Sequence, residues 1–257
     1  MSLIFDYPLL LFALSFVALT LSAWLGAAVL GHRRDSDEDV RDEYDLILAA
    51  TLTLLGLIIG FSFSMAISRY DQRKNLEEEE ANAIGTAYVR ADLLPAADAA
   101  RVRALLKEYL DVRMQFYNTR DVDPLGAIAT RRAKLQADLW TAVQDPAAAQ
   151  PTAVMALVVK GMNDVLNAQG YTQAAWWNRI PHAAWLLLLL IAICSNVLLG
   201  YGVQRSRTAR RLLFVMPLVI SISFFLIADI DSPRGGVIHV KPQNLKSLAD
   251  SLRSPSP

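Results

Sequence analysis

Thr53, Leu57, Phe61, Ser64 and Ser68 recur at steps of three or four along an uncharged stretch of the chain, which is the spacing of one helical face. The face changes from bulky apolar to hydroxylated as it approaches Arg69. Such a gradation can line an ion path. Leu57 and Phe61 would form a dewetting constriction, and Ser64 and Ser68 would hydrate an ion beyond it. Gly56 and Gly60 make a small-xxx-small pair one residue ahead of that face, suited to close approach of a second helix. Ordinary helix packing accounts for the same glycines and serines, so spacing alone leaves both readings open.

Past this stretch come Glu77, Glu78, Glu79 and Glu80. Repeated around an oligomer, Glu77 and Glu80 would concentrate cations in a vestibule. A solvated face balancing Arg73 and Lys74 at i,i+4 spacing explains the same run. Arg69 and Tyr70 stand where the apolar stretch ends, so Arg69 either snorkels to the interface or neutralises a carboxylate such as Asp71 or a glutamate of a neighbouring subunit. Asn82 and Arg90 lie on nearly one face and could make interhelical hydrogen bonds. Asp229, at the end of the last apolar block, pairs with an arginine or reaches the interface.

Other chemistry lacks its parts. His32, His182 and His239 are scattered with no companion at metal-ligand spacing, and no phosphate-cradling glycine loop or nucleophile motif is present. No catalytic residue, metal or cofactor is expected, and the chain reads as a non-enzyme. The single cysteine, Cys194, sits between apolar neighbours and excludes an intrachain disulfide. Twenty-five basic residues balance 25 acidic ones, so nothing favours a nucleic-acid partner.

Four blocks are nearly free of charge: roughly 7–30, 46–67, 183–203 and 212–228. At about 1.5 Å per residue each covers about 25 to 36 Å, enough to cross a hydrocarbon core of about 30 Å. The first block has no basic residue ahead of it and is too long for a signal-peptide core, so it reads as an uncleaved helix. Between the second and third blocks the texture turns charged and Ala-rich at helical spacing. Val102, Leu105, Leu106, Tyr109, Val112 and Phe116 form one stripe after Pro95 and Asp98, and Ile128, Leu135, Leu139 and Val143 another after Pro124. A third stripe begins at Pro151, runs through Val154, Leu157, Val158, Val165 and Leu166, and is expected to stop near Gly170.

Nothing between Phe63 and Ala91 breaks a helix except the tolerable Gly85. The second membrane helix is therefore expected to continue out of the bilayer for about 45 residues, about 68 Å. A helix of that length needs partners on both sides of the boundary, which favours an assembly. Trp24, Trp176, Trp177 and Trp185 sit near span ends, as interfacial anchors or as core residues. Asp231 to Gly236 reads as a turn, with the final residues disordered.

Orientation is not decided by charge. Arg33, Arg34, Arg41, Arg205, Arg207, Arg210 and Arg211 on one side face Arg69, Arg73, Lys74, Arg179, Arg234, Lys241 and Lys246 on the other, seven against seven.

Specific strings carry a resemblance. Gly60-Phe61, then seven intervening residues, then Arg69-Tyr70, is similar to the end of the pore-lining second helix of bestrophins. The segments 55–66, 69–71, 80–95 and 229–240 resemble the bacterial bestrophin-like family known as DUF4239, over nearly the whole chain. The resemblance implies a pentamer in which five second helices surround a pore with an apolar neck and a helical vestibule beyond. Matching the Gly-Phe pair carries the neck onto Thr53, Leu57 and Phe61, the residues that periodicity selects. Two departures stand out. Leu54 occupies the place of a neck proline, and Asp229, Asp231, Arg234 and two glycines replace the acidic run with which calcium-gated bestrophins help clasp their ion, so calcium gating is not expected. The resemblance also implies a cytoplasmic large domain.

The resulting expectation is an all-α, bestrophin-like membrane protein with four transmembrane helices. Residues 1–67 hold transmembrane helices 1 and 2, 68–182 a helical extramembrane domain, 183–230 transmembrane helices 3 and 4, and 231–257 a C-terminal tail. Its function is that of one subunit of a homopentameric ion channel, multi-pass in a bacterial inner membrane. Its expected partners are lipid, inorganic ions and copies of itself. The alternative is a non-conducting scaffold or sensor acting through the extramembrane helices.

Overall fold

The computed structural model describes residues 7–30, 38–120, 123–202 and 213–253 of the 257. Helices α1 (Pro8–Leu25), α2 (Glu38–Arg90), α3 (Ala96–Asn118), α4 (Asp123–Ala149), α5 (Ala153–Trp177), α6 (His182–Gly202), α7 (Val215–Asp231) and α8 (Gln243–Arg253) follow in order. No strand occurs among the described residues. The expected long helix is longer than its sequence signal: at 53 residues, α2 extends about 80 Å. It ends in a 3-10 turn, Ala91–Leu93, before Pro95 enforces the extended backbone that starts α3. Arg33, Arg34 and the arginines of 205–211 lie outside the described residues.

The chain divides into two compact units, one formed by 1–69 with 179–239 and the other by 70–178 with 240–257. In the first unit α1 packs against α6 and α7. Their meeting faces are small and hydroxylated. Ser15, Leu19, Ser22 and Ala23 are buried on α1, and Leu188, Ala192, Ser195, Asn196 and Gly200 on α6. Ser22 and Ser195 return their hydroxyls to carbonyls one turn back, at 2.8 Å each, so neither is left unpaired. The helices cross so closely that a Cβ on Gly200 would run into the Ala23 carbonyl, and one on Gly26 into the Val197 carbonyl. Beyond this seam the helices expose Leu9, Leu14, Val17, Leu186, Leu190, Val215, Val219 and Ile222. So much outward apolar surface suits hydrocarbon and not water.

Three stretches, Pro8–Ala28, Asp42–Leu93 and Ala153–Gly202, hold helix long and apolar enough to cross a membrane. The expected fourth span corresponds to α7, 17 residues long.

The second unit is a helical bundle with its own core. Val102, Leu106, Tyr109, Leu110 and Val112 of α3 meet Leu135, Leu139 and Val143 of α4 and Met155, Val158, Met162 and Val165 of α5. Gly170 does not end α5, contrary to expectation: the helix runs on to Trp177, because Thr172, Ala175 and Trp176 continue its buried face. Thr152 caps its other end, accepting from the Met155 N–H at 3.1 Å. The expected tail is also revised. Gln243–Arg253 is a helix whose Leu245 and Ala249 are buried, since its apolar residues fall at i, i+3, i+4 and i+7. The tryptophans divide between buried and exposed. Trp176 packs against Phe116 and Tyr117 at ring distances of 4.8 and 5.5 Å, and Trp185 meets Phe224 at 6.1 Å, whereas Trp24 and Trp177 are exposed.

Candidate functional site: the exposed face of the long helix

At about 100° of turn per residue, Leu55, Ser62, Ala66, Arg73, Glu77, Glu80 and Ile84 fall on one side of α2, and all are buried. Thr53, Leu57, Phe61, Ser64 and Ser68 fall on nearly the opposite side, and all are exposed. Leu57 keeps 54% and Phe61 63% of its surface, so two large apolar side chains on this face stay more than half uncovered by the described residues. Thr53 turns its hydroxyl back to the Ala49 carbonyl at 2.8 Å, which leaves its methyl as the outward group. Gly56 and Gly60 meet no neighbour either, with nothing within 4 Å of where a Cβ would stand. They pack against no helix among the described residues.

Glu77 and Glu80 require a correction. Both have 0% exposure, because their helical phase is that of the buried side. Glu80 pairs with the Arg113 guanidinium through Nε and, at 3.1 Å, Nη2, and accepts from the Thr172 hydroxyl at 3.3 Å and the Tyr117 hydroxyl at 3.4 Å. Burial opposes the charge on Arg113, but the Glu80 carboxylate outweighs it and raises the pKa above the ordinary value. Burial, reinforced by Glu80, raises the pKa of Tyr109 and Tyr117, so both phenols stay neutral. Burial and then the Arg113 charge lower that of Arg132. Glu77 caps α8, accepting from the Leu245 N–H at 2.9 Å and the Asn244 amide at 2.7 Å. These two carboxylates therefore hold the second unit together and attract no ion to a surface. Past Arg69, the carboxylates exposed on α2 are Asp71, Glu78 and Glu79.

At the end of the uncharged part of α2, Arg69 does not pair with Asp71. Its guanidinium lies 3.4 Å from Asp231, the last residue of α7. Asp231 is 2% exposed and also accepts from the Ile180 N–H, at 3.1 and 3.3 Å to its two oxygens, with Arg179 at 3.7 Å. Asp229 pairs with no arginine among the contacts described: it accepts from the N–H groups of Val237 and Ile238 at 2.7 and 2.8 Å. Gly236 passes so close that a Cβ there would strike the Asp229 carbonyl. The turn after α7 is thus folded around Asp229, and both acids have their oxygens filled by N–H donors. Of the pair expected to bond between helices, Arg90 donates to the Leu157 carbonyl at 3.3 Å and Asn82 is exposed. No group of three or more metal-ligating side chains occurs among the described residues. Asp231 was the residue that periodicity could not find. Its only signal was an acid closing an apolar helix at the end where the dipole disfavours it.

The family model of the bestrophin-like domain matches residues 13–245. This chain belongs to the bestrophin-like family. Its fold is that of crystal structures of a bacterial bestrophin homologue from Klebsiella pneumoniae. One, phased with zinc, has a TM-score of 0.64 at 13% identity, over 93% of this chain and 95% of that one. A point variant of the homologue gives 0.63 at 13% identity over 94% and 96%, and another gives 0.59 at 15% identity over 98% of each chain. No curated protein matches the chain.

Proposed function

We propose that this bestrophin-like chain is one subunit of a homopentameric ion channel in the bacterial inner membrane, in which five copies of α2 surround the pore. The carrying observation is the uncovered face of α2. Lipid alone would cover Leu57 and Phe61, which stay more than half exposed, but it does not call for the serines that follow them on the same helical face, whereas a ring of such faces makes a narrow dewetting neck followed by a hydrated mouth. In this reading Thr53, Leu57 and Phe61 form the neck, and Ser64 and Ser68 line the pore below it. Gly56 and Gly60, with no neighbour within 4 Å of their Cβ positions among the described residues, let adjacent copies approach. Four helices span the bilayer, α7 being the fourth, and residues 68–182 stand outside it on the cytoplasmic side. The vestibule role first given to Glu77 and Glu80 passes to Asp71 and Glu78, which are exposed on α2.

The test joins native mass to ion flux. The detergent-solubilised complex is weighed by native mass spectrometry, and wild type is compared with Phe61→Ala in proteoliposomes. Five subunits and a severalfold rise in flux in Phe61→Ala are expected, since shortening the side chain wets the constriction. A monomer or dimer, or a pentamer in which neither protein conducts, would hand the role to a non-conducting scaffold.

A further inference from the structure

Asp231 occupies an unfavourable place for a carboxylate. It closes α7, where the helix dipole repels negative charge, and it is almost wholly removed from solvent. Three groups from outside its own helix make the position tenable: the buried Ile180 N–H just ahead of α6, the Arg69 guanidinium on α2, and Arg179. One side chain therefore ties the end of α7, the start of α6 and the point where the uncharged part of α2 ends. All these residues lie within the first unit.

Arg69 belongs to the buried side of α2, in phase with Ser62, Ala66 and Arg73, and nearly opposite Phe61, Ser64 and Ser68. A contact on that side fixes both the rotation of α2 about its axis and its height along it. Phe61 is eight residues away, about 12 Å along a continuous helix, so a rotation at Arg69 is carried to it without loss. Within the first unit, Tyr44 donates to the Leu198 carbonyl near the other end of the apolar part of α2, while the contacts between, Leu55, Ser62 and Ala66, are apolar or small and permit sliding. The ion pair is directional and does not.

We propose that Asp231 is the positioning residue of the pore helix: through Arg69 it sets the rotation and height of α2, and with them the aim of Phe61 and Ser64. The inference rests on the channel reading for its functional consequence, but the geometry can be tested without conduction. Replacing Cys194, the only native cysteine, with Ala allows spin labels at Ser64→Cys and Leu187→Cys, both exposed residues of the first unit. Labelled protein is diluted with unlabelled copies, so that pulsed EPR reports the distance within one chain.

Wild type and Arg69→Lys should give one narrow distance. Asp231→Asn should broaden or shift it. So should Arg69→Gln, which leaves the Asp231 bond to Ile180 intact and guards against simple misfolding. The double variant should add little to either single one, because both remove the same contact. Flux of the same variants in liposomes should change severalfold at unchanged native mass, with Arg69→Lys close to wild type. Superimposable distance distributions in all five proteins would overturn the proposal whether or not the protein conducts. A changed distance in a protein that never conducts would refute the channel reading alone and leave Asp231 as a positioning residue.

Discussion

Removing the Glu80 carboxylate should unfold the second unit's core far more readily than removing its neighbour Glu78. Glu80 and Arg113 are both buried, and the guanidinium meets the carboxylate through two nitrogens. Glu80→Ala leaves a buried cation whose Nη1 already lacks a hydrogen-bond partner. Breaking such a pair costs about 3–5 kcal/mol, and for a protein of this size each kcal/mol lowers Tm by about 2–4 °C. The expected drop is therefore about 6–20 °C. Glu78 is exposed, and Glu78→Ala should stay within about 0.5 kcal/mol of wild type. The assay is thermal unfolding of the detergent-solubilised protein at one scan rate, followed by circular dichroism and by fluorescence of Trp176, whose ring lies 5.5 Å from that of Tyr117. Glu80→Met combined with Arg113→Met should recover much of the loss, because neither charge is then buried alone. If Glu80→Ala and Glu78→Ala melt together, the pair does not hold the core and the vestibule assignment of Glu80 returns.

Two further outcomes follow from close contacts. Gly200→Leu must push α6 off the backbone of α1, where even a Cβ meets the Ala23 carbonyl and lies 2.9 Å from the Ala27 nitrogen. A loss of about 3 kcal/mol or more is expected, while Gly170→Ala, with open space around it, should gain about 0.5–1 kcal/mol; equal melting temperatures for the two would contradict the crossing. Leu245→Asp should detach α8 from Glu77 and expose 243–253 to limited proteolysis under conditions where wild type resists, and an unchanged digestion pattern would mean that the helix is held elsewhere.

Helical periodicity in the sequence was enough to expose the all-helical character, the long second helix and the graded face of Thr53, Leu57, Phe61, Ser64 and Ser68. These are local properties: a run of apolar residues and a phase of about 100° per residue are written in consecutive positions. Tertiary structure alone decided which way the phase pointed once charge entered. Four successive glutamates point in four directions, and only the placement of Arg113, Thr172 and α8 shows that Glu77 and Glu80 face inward. The extension of α5 past Gly170 and the docking of α8 were likewise hidden, since a helix interior tolerates a glycine and a short amphipathic segment folds only on the surface that buries it. Asp231 is the clearest case. Its partners Arg69, Arg179 and Ile180 are 162, 52 and 51 positions away in the chain, and a contact at such separations leaves no period in the sequence to read. It exists because the end of α7, the segment ahead of α6 and the interior of α2 meet at one point, and that meeting is set by packing.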